Sequence, residues 1–122
     1  HQALAVTSVV ERMQSMDSAI GKTCAEWMGF FGTSYRSVWS FEAPPVHDPC
    51  TIAALIDPTL ISWVDTHLEV ELEGKWTRGE TIVDLHNRLN LKPNAKVAIT
   101  LDTARYWDLV LDAIERLGAD SK

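Results

Sequence analysis

The chain has 122 residues, and 11 Lys and Arg against 17 Asp and Glu give a formal net charge of −6. That length suits one domain or a piece of a larger one, and 46% apolar residues with five tryptophans suit a packed core rather than disorder. An acidic balance without a basic cluster argues against nucleic-acid and membrane-surface partners, while leaving carboxylates for a metal.

Ser8-Val9-Val10-Glu11 has the form of a capping box, and Val9, Val10, Met13, Met16 and Ile20 follow close to the helical period. Gly21 is the expected stop. Thr23-Cys24-Ala25-Glu26 repeats the box and predicts a second helix that buries Trp27, Phe31, Ser34, Tyr35 and Val38 on one face and ends before Pro44 and Pro45. Asp48-Pro49 predicts a short helix through Cys50, Ile52, Ala53 and Ile56, with Asp48 as its N-cap. Asp57-Pro58 predicts one more turn of the same kind.

The period then changes. Val64, Thr66, Leu68, Val70 and Leu72 alternate with acidic residues and His67, as in a strand with one wet face. Gly74 to Gly79 reads as a turn, Thr81 to Leu85 as a returning antiparallel strand, Asn87 to Asn94 as a loop, and Lys96 to Leu101 as a third strand. Asp102 caps a last helix carrying Tyr106, Trp107, Val110, Leu111, Ile114 and Leu117, which Gly118 ends before a polar tail. The expected piece is α+β: helices, a three-stranded antiparallel meander with exposed edges, and a closing helix.

Cys24 and Cys50 lie far apart, without metal-ligand spacing, and read as reduced thiols of a cytoplasmic protein. No apolar run is long enough to span a membrane, and no signal peptide is visible. The opening at His1 rather than a methionine reads as a boundary.

Pro44-Pro45-Val46-His47-Asp48-Pro49-Cys50 concentrates the candidate chemistry. Asp48 is explained by helix capping, as Asp57 is. His47 precedes the cap and follows a proline-stiffened loop, although a lone histidine is more often structural than catalytic. Cys50 with His47 is a third arrangement, with no separate orienting acid to support it. Glu69, Glu71 and Glu73 offer three carboxylates to calcium, but a solvated outer face explains them more simply. The tryptophans read as core, except Trp76 in the predicted turn. Nothing matches a phosphate loop, a dinucleotide fingerprint or a zinc motif.

Longer blocks carry a resemblance. Val46 to Pro58 resembles a signature of the inosine-uridine preferring nucleoside hydrolases. Val70-Glu71-Leu72-Glu73-Gly74 with Thr77 to Asp84, Asn94 to Ala98, and Leu101 to Asp108 are similar to the strand-turn-strand and the closing strand and helix of that family. His1-Gln2 is similar to the end of its Thr-His-Gln segment. The resemblance implies an α/β, Rossmann-like fold in the intact protein, of which residues 1–122 would be the C-terminal portion, because the family's opening Asp-x-Asp-x-Gly-x-Asp-Asp cluster and its asparagine-bearing ribose segment have no counterpart here. It implies calcium-dependent hydrolysis of a ribonucleoside to free base and ribose. His47 would assist the leaving base, Asp48 would be a calcium ligand, and Tyr35 and Phe31 would border the base. Phe31 lacks a hydroxyl for any relay, and core packing competes for both rings. A nucleoside substrate and a homo-oligomer are expected, and the piece alone is expected to bind calcium poorly and to be inactive. The competing reading is a non-catalytic binding or assembly module that keeps the C-terminal fold.

Overall fold

The computed structural model describes residues 2–120, so His1 of the expected His1-Gln2 match and the last residues of the polar tail, Ser121 and Lys122, lie outside the described residues. The elements, in order, are α1 (Thr7–Ser15), α2 (Ala19–Trp39), α3 (Asp48–Ile56), a 3-10 turn (Pro58–Leu60), β1 (Ile61–Thr66), β2 (Leu68–Val70), β3 (Thr81–Val83), β4 (Ala95–Leu101) and α4 (Thr103–Ala119). They form two compact units: the chain up to Leu60 together with the chain from Leu101, and Ile61 to Thr100. Helices with small antiparallel strand pairs are the α+β content expected from the sequence.

The first unit is helical. The chain enters α1 from an extended stretch in which Leu4 bridges Pro45 antiparallel. Val6 is still extended (φ −64°, ψ 164°), so the helix starts at Thr7 with Val6 as an N-cap that makes no side-chain bond. Ser8 therefore falls inside the helix, and the capping box predicted there does not form. α1 stops at Ser15, and Ser18, not Thr23, caps α2 by accepting from the Gly21 amide at 3.1 Å. Gly21 is thus no stop but the first turn of α2. A Cβ there would lie 2.6 Å from Met16 Cβ and 2.9 Å from the Met13 carbonyl oxygen, so the tight link between the two helices needs glycine.

α2 is buried through small residues, Gly21, Ala25 and Gly32, instead of the predicted aromatic face. Small residues let neighbouring backbone come close, which leaves Trp27 (65% exposed) and Val38 (66% exposed) outside. The core collects Val9 and Met13 of α1, Ala53 of α3, Leu60, and Tyr106, Trp107 and Leu111 of α4. Trp107 is buried, whereas Trp27, Trp39, Trp63 and Trp76 are exposed, which corrects the expectation that the tryptophans are mostly core. Trp76 is the most open, as its turn predicted, with Lys75 Nζ 4.7 Å from its ring centroid. α4 begins as expected, Asp102 accepting from the Arg105 amide at 3.2 Å, but runs through Gly118 to Ala119.

In the second unit the predicted meander becomes, among the described residues, two two-stranded sheets, β1 with β4 and β2 with β3. The first strand starts earlier than its alternation indicates, at Ile61, and breaks at His67. Before the break it pairs with β4. After it, β2 pairs antiparallel with β3 in the register Leu68·Val83, Glu69·Ile82 and Val70·Thr81. β3 and β4 hence share a partner run and are not neighbours, the opposite of a meander. Asn94 explains part of the switch: its side chain accepts from the Leu68 amide at 2.8 Å and donates to the Leu68 carbonyl at 2.9 Å, standing in for a strand just before β4 begins. Buried Thr66 donates its hydroxyl to the Asp84 carbonyl at 2.7 Å.

Candidate active-site segment

The segment leading to His47 is held by sequence-distant groups. Two prolines fix φ and remove two amides from the chain, and Ala43, Pro44 and Pro45 are buried. The remaining polar groups pair with the extended stretch before α1: the Ala5 amide donates to the Pro44 carbonyl at 3.0 Å and the Val46 amide to the Ala3 carbonyl at 2.8 Å. α4 closes both sides of this bridge. Tyr106 donates its hydroxyl to the Val46 carbonyl at 2.9 Å, and Trp107 Nε1 donates to the Leu4 carbonyl at 3.1 Å. Tyr106 is fully buried. Burial first, and then the adjacent Cys50, push its phenol above the usual tyrosine range, so it remains a neutral donor.

Beyond this anchor the chain emerges. His47 and Asp48 are both exposed, side by side at the start of α3. His47 itself takes the N-cap position, with backbone already helical (φ −83°, ψ −39°) and no side-chain cap bond. The N-cap role predicted for Asp48 is corrected: Asp48 is the first helical residue, followed by Pro49. Its carboxylate sits in the first turn, where the helix N-terminus favours negative charge, and is not taken up as the cap. Asp57 does what Asp48 was expected to do, accepting from the Thr59 amide at 3.0 Å and the Thr59 hydroxyl at 2.7 Å. These two bonds, joined by Arg105, hold its carboxyl below the usual range.

Asp48 also stands at one end of an apolar groove of about 480 Å³ between α3 and α4, lined by Pro49, Ile52, Ile56, Val110 and Leu117 among others. Cys50 turns its thiol toward the Val46 carbonyl at 3.7 Å, an inward direction that gives the Cys50–His47 pair no support.

Tyr35 and Phe31 sit one turn apart on α2, their rings edge to face with centroids 4.7 Å apart. Phe31 is 37% exposed, against the core packing weighed for it, and Tyr35 is half-buried. Phe41 joins them, stacked on Tyr35 at 5.8 Å. The sequence reading passed over it. α2 ends on Ser40 in the left-handed region (φ 56°), and the Ser40 and Phe41 amides both bond back to the Tyr35 carbonyl, which folds Phe41 onto the Tyr35 ring. An apolar residue directly after a helix end was the available signal. The structure thus gathers the candidates into an exposed His47-Asp48 pair and an α2 ring cluster.

Two of the three carboxylates of the β region, Glu69 and Glu71, do unlike jobs. Glu69 Oε1 meets His67 Nε2 at 2.7 Å, while Glu71, beyond the end of β2, accepts from the Glu73 and Gly74 amides at 2.8 and 3.1 Å. Among the described residues no group of three or more His, Cys, Asp and Glu side chains could hold a metal ion, and no helix is long and apolar enough to cross a membrane.

Comparison with known proteins follows the same blocks. The inosine-uridine preferring nucleoside hydrolase family profile matches residues 1–108. The inosine-uridine preferring nucleoside hydrolase of Crithidia fasciculata is 36% identical over 118 residues, which cover 97% of this chain and 38% of that protein. The pyrimidine-specific ribonucleoside hydrolase RihA of Enterobacter sp. (strain 638) is 35% identical over 115 residues, covering 93% of this chain and 37% of its own length. Among solved structures, the purine-preferring ribonucleoside hydrolase from Gardnerella vaginalis aligns with a TM-score of 0.78 at 25% identity, over 96% of this chain and 37% of that one. The chain therefore spans little more than a third of the relatives it matches, in their C-terminal part. With nearly its whole length matched in both sequence and fold, this chain belongs to the inosine-uridine preferring nucleoside hydrolase family.

Proposed function

We propose that the protein carrying this sequence is a ribonucleoside hydrolase, in which water replaces the base at the anomeric carbon and free base and ribose are released. The observation that carries this reading is the exposed His47-Asp48 pair at the start of α3, inside the block that matches the family. Breaking an N-glycosidic bond builds positive charge on the sugar and negative charge on the departing base, as in the oxocarbenium-like transition states of glycosidases. A proton given to the base relieves the second charge, and an imidazole suits that task near neutral pH. His47 is assigned this role. The Phe31, Tyr35 and Phe41 cluster offers apolar ring faces and one hydroxyl to a planar base, with Tyr35 and Phe31 as the base-bordering residues.

Asp48 is proposed as a calcium ligand. Calcium takes about six to eight oxygens, of which one carboxylate gives two at most, so the described residues do not make a calcium site by themselves. The 122-residue chain alone is expected to bind calcium weakly and to release no base above a protein-free control, by calorimetric titration and product assay. The relatives' names cover inosine-uridine, pyrimidine and purine preferences, and the substrate class proposed is a ribonucleoside. Self-association is part of the same reading, since α2 presents Trp27 and Trp39, each about two-thirds exposed, and light scattering is expected to show mass rising with concentration.

The deciding test is a product assay on the full-length protein with inosine, uridine and cytidine. His47→Ala is expected to lower kcat by about 10²–10⁴-fold. A full-length protein that releases no base, while folded and supplied with calcium, would leave the non-catalytic module as the reading.

A further inference from the structure

We propose that Tyr106 is a positioning residue for His47, acting through the carbonyl of Val46; the inference rests on the role given to His47 above. The Val46 carbonyl and the His47 amide belong to one rigid peptide plane. Whatever fixes that carbonyl fixes where the next Cα, and the imidazole it carries, can lie. Tyr106 sits on α4, 60 residues away in sequence, fully buried, with its hydroxyl 2.9 Å from this oxygen. The other polar group of Val46, its amide, is held at 2.8 Å by Ala3. Val46 is thus pinned on both sides one residue before the chain reaches solvent at His47.

The hydroxyl is separable from the ring. Tyr106 packs edge to face on Trp107 with centroids 5.1 Å apart, a contact that phenylalanine would keep. With the hydroxyl gone, the Val46 carbonyl would retain the Cys50 thiol at 3.7 Å, a weak donor at a long distance. The expected result is a peptide plane free to tilt in an otherwise intact core. Misplacement of a catalytic group by about 1 Å costs on the order of 10²-fold in rate, and a tilt short of that costs proportionately less.

The test compares wild type, Tyr106→Phe and Trp107→Phe in the full-length protein with inosine and uridine. Trp107 is the matched control, because it holds the same bridge through the Leu4 carbonyl and not through the peptide plane of His47. Tyr106→Phe should lower kcat by about 10- to 100-fold with KM changed less than about twofold. Trp107→Phe should lower Tm at least as much while kcat stays within about twofold of wild type. Wild-type kcat in Tyr106→Phe would overturn the proposal, as would equal losses of kcat in both variants that track Tm. A wild type without base release would overturn the functional reading, and this inference with it, and is told apart by the wild-type arm alone.

Discussion

Gly118 and Gly29 show how one residue type serves opposite ends. A Cβ on Gly118 would lie 2.5 Å from Ser18 Oγ and 2.6 Å from Ser18 Cβ, so α4 crosses the capped start of α2 at a distance only glycine permits. Gly118→Ala is expected to destabilise by about 1–3 kcal/mol, the usual cost of overpacking. Gly29 lies inside α2, exposed, with nothing within 4 Å of a Cβ built on it. Gly29→Ala is expected to stabilise by about 0.5–1 kcal/mol through helix propensity. Thermal denaturation of both variants checks the pair, and shifts of the same sign would refute the contrast. The sequence could not make this distinction: it marked Gly118 and Gly21 as stops, because spacing shows where a helix can end and not which backbone passes beside it. The two Asp-Pro pairs carry the same lesson. Asp57 has Thr59 two residues on to complete its cap, while Asp48 has Cys50 there and a preceding His47 already in helical conformation.

The strands were foreseen by period and misjudged in pairing. Alternation marked 64 to 72 as one strand, but pairing depends on which run offers hydrogen-bond partners, and His67 is where the chain exchanges β4 for β3. His67 also fastens that exchange. Its Nδ1 lies 2.9 Å from the Lys92 carbonyl and its Nε2 2.7 Å from Glu69 Oε1. Both partners are acceptors, which favours the doubly protonated ring. These bonds, the Lys92 carbonyl first, raise its pKa, and the carboxylates of Glu69 and Asp84 add to them. A raised folded-state pKa contributes stability that is complete below the unfolded value of about 6.5 and is lost as pH rises through the folded value. Amide exchange in the 87–94 loop is therefore expected to accelerate on alkalinisation beyond the intrinsic rate, an effect that His67→Gln should abolish. Asp84 and Glu71 act with the opposite sign. Backbone amides of Leu89 and Arg88 lower the first, and those of Glu73 and Gly74 the second, so their contribution is present above about pH 4 and lost as pH falls through the depressed values.

Taken as one chain, the molecule keeps many apolar side chains outside. Phe30, Leu55 and Ile56 are 81%, 79% and 63% exposed, and the groove beside Asp48 is almost wholly apolar. This is why the helices could be read from the sequence and their faces could not: periodicity tells which residues are apolar together, and the covering surface is chosen by packing. The site was legible only as residue types in a familiar order. What supports it, the α4 aromatics closing on the Leu4·Pro45 bridge, depends on contacts between residues 60 and 103 positions apart. That separation has a kinetic consequence. On the ribosome, the segment before His47 is made some 60 residues ahead of Tyr106 and cannot be fastened until Tyr106 and Trp107 have emerged, so the nascent chain passes through an interval with this loop untied. Long-range closures of this kind slow folding and leave apolar surface open to aggregation. Ribosome-stalled chains ending before α4 should be cut readily by proteases around Pro44, and chains extending well past it should resist.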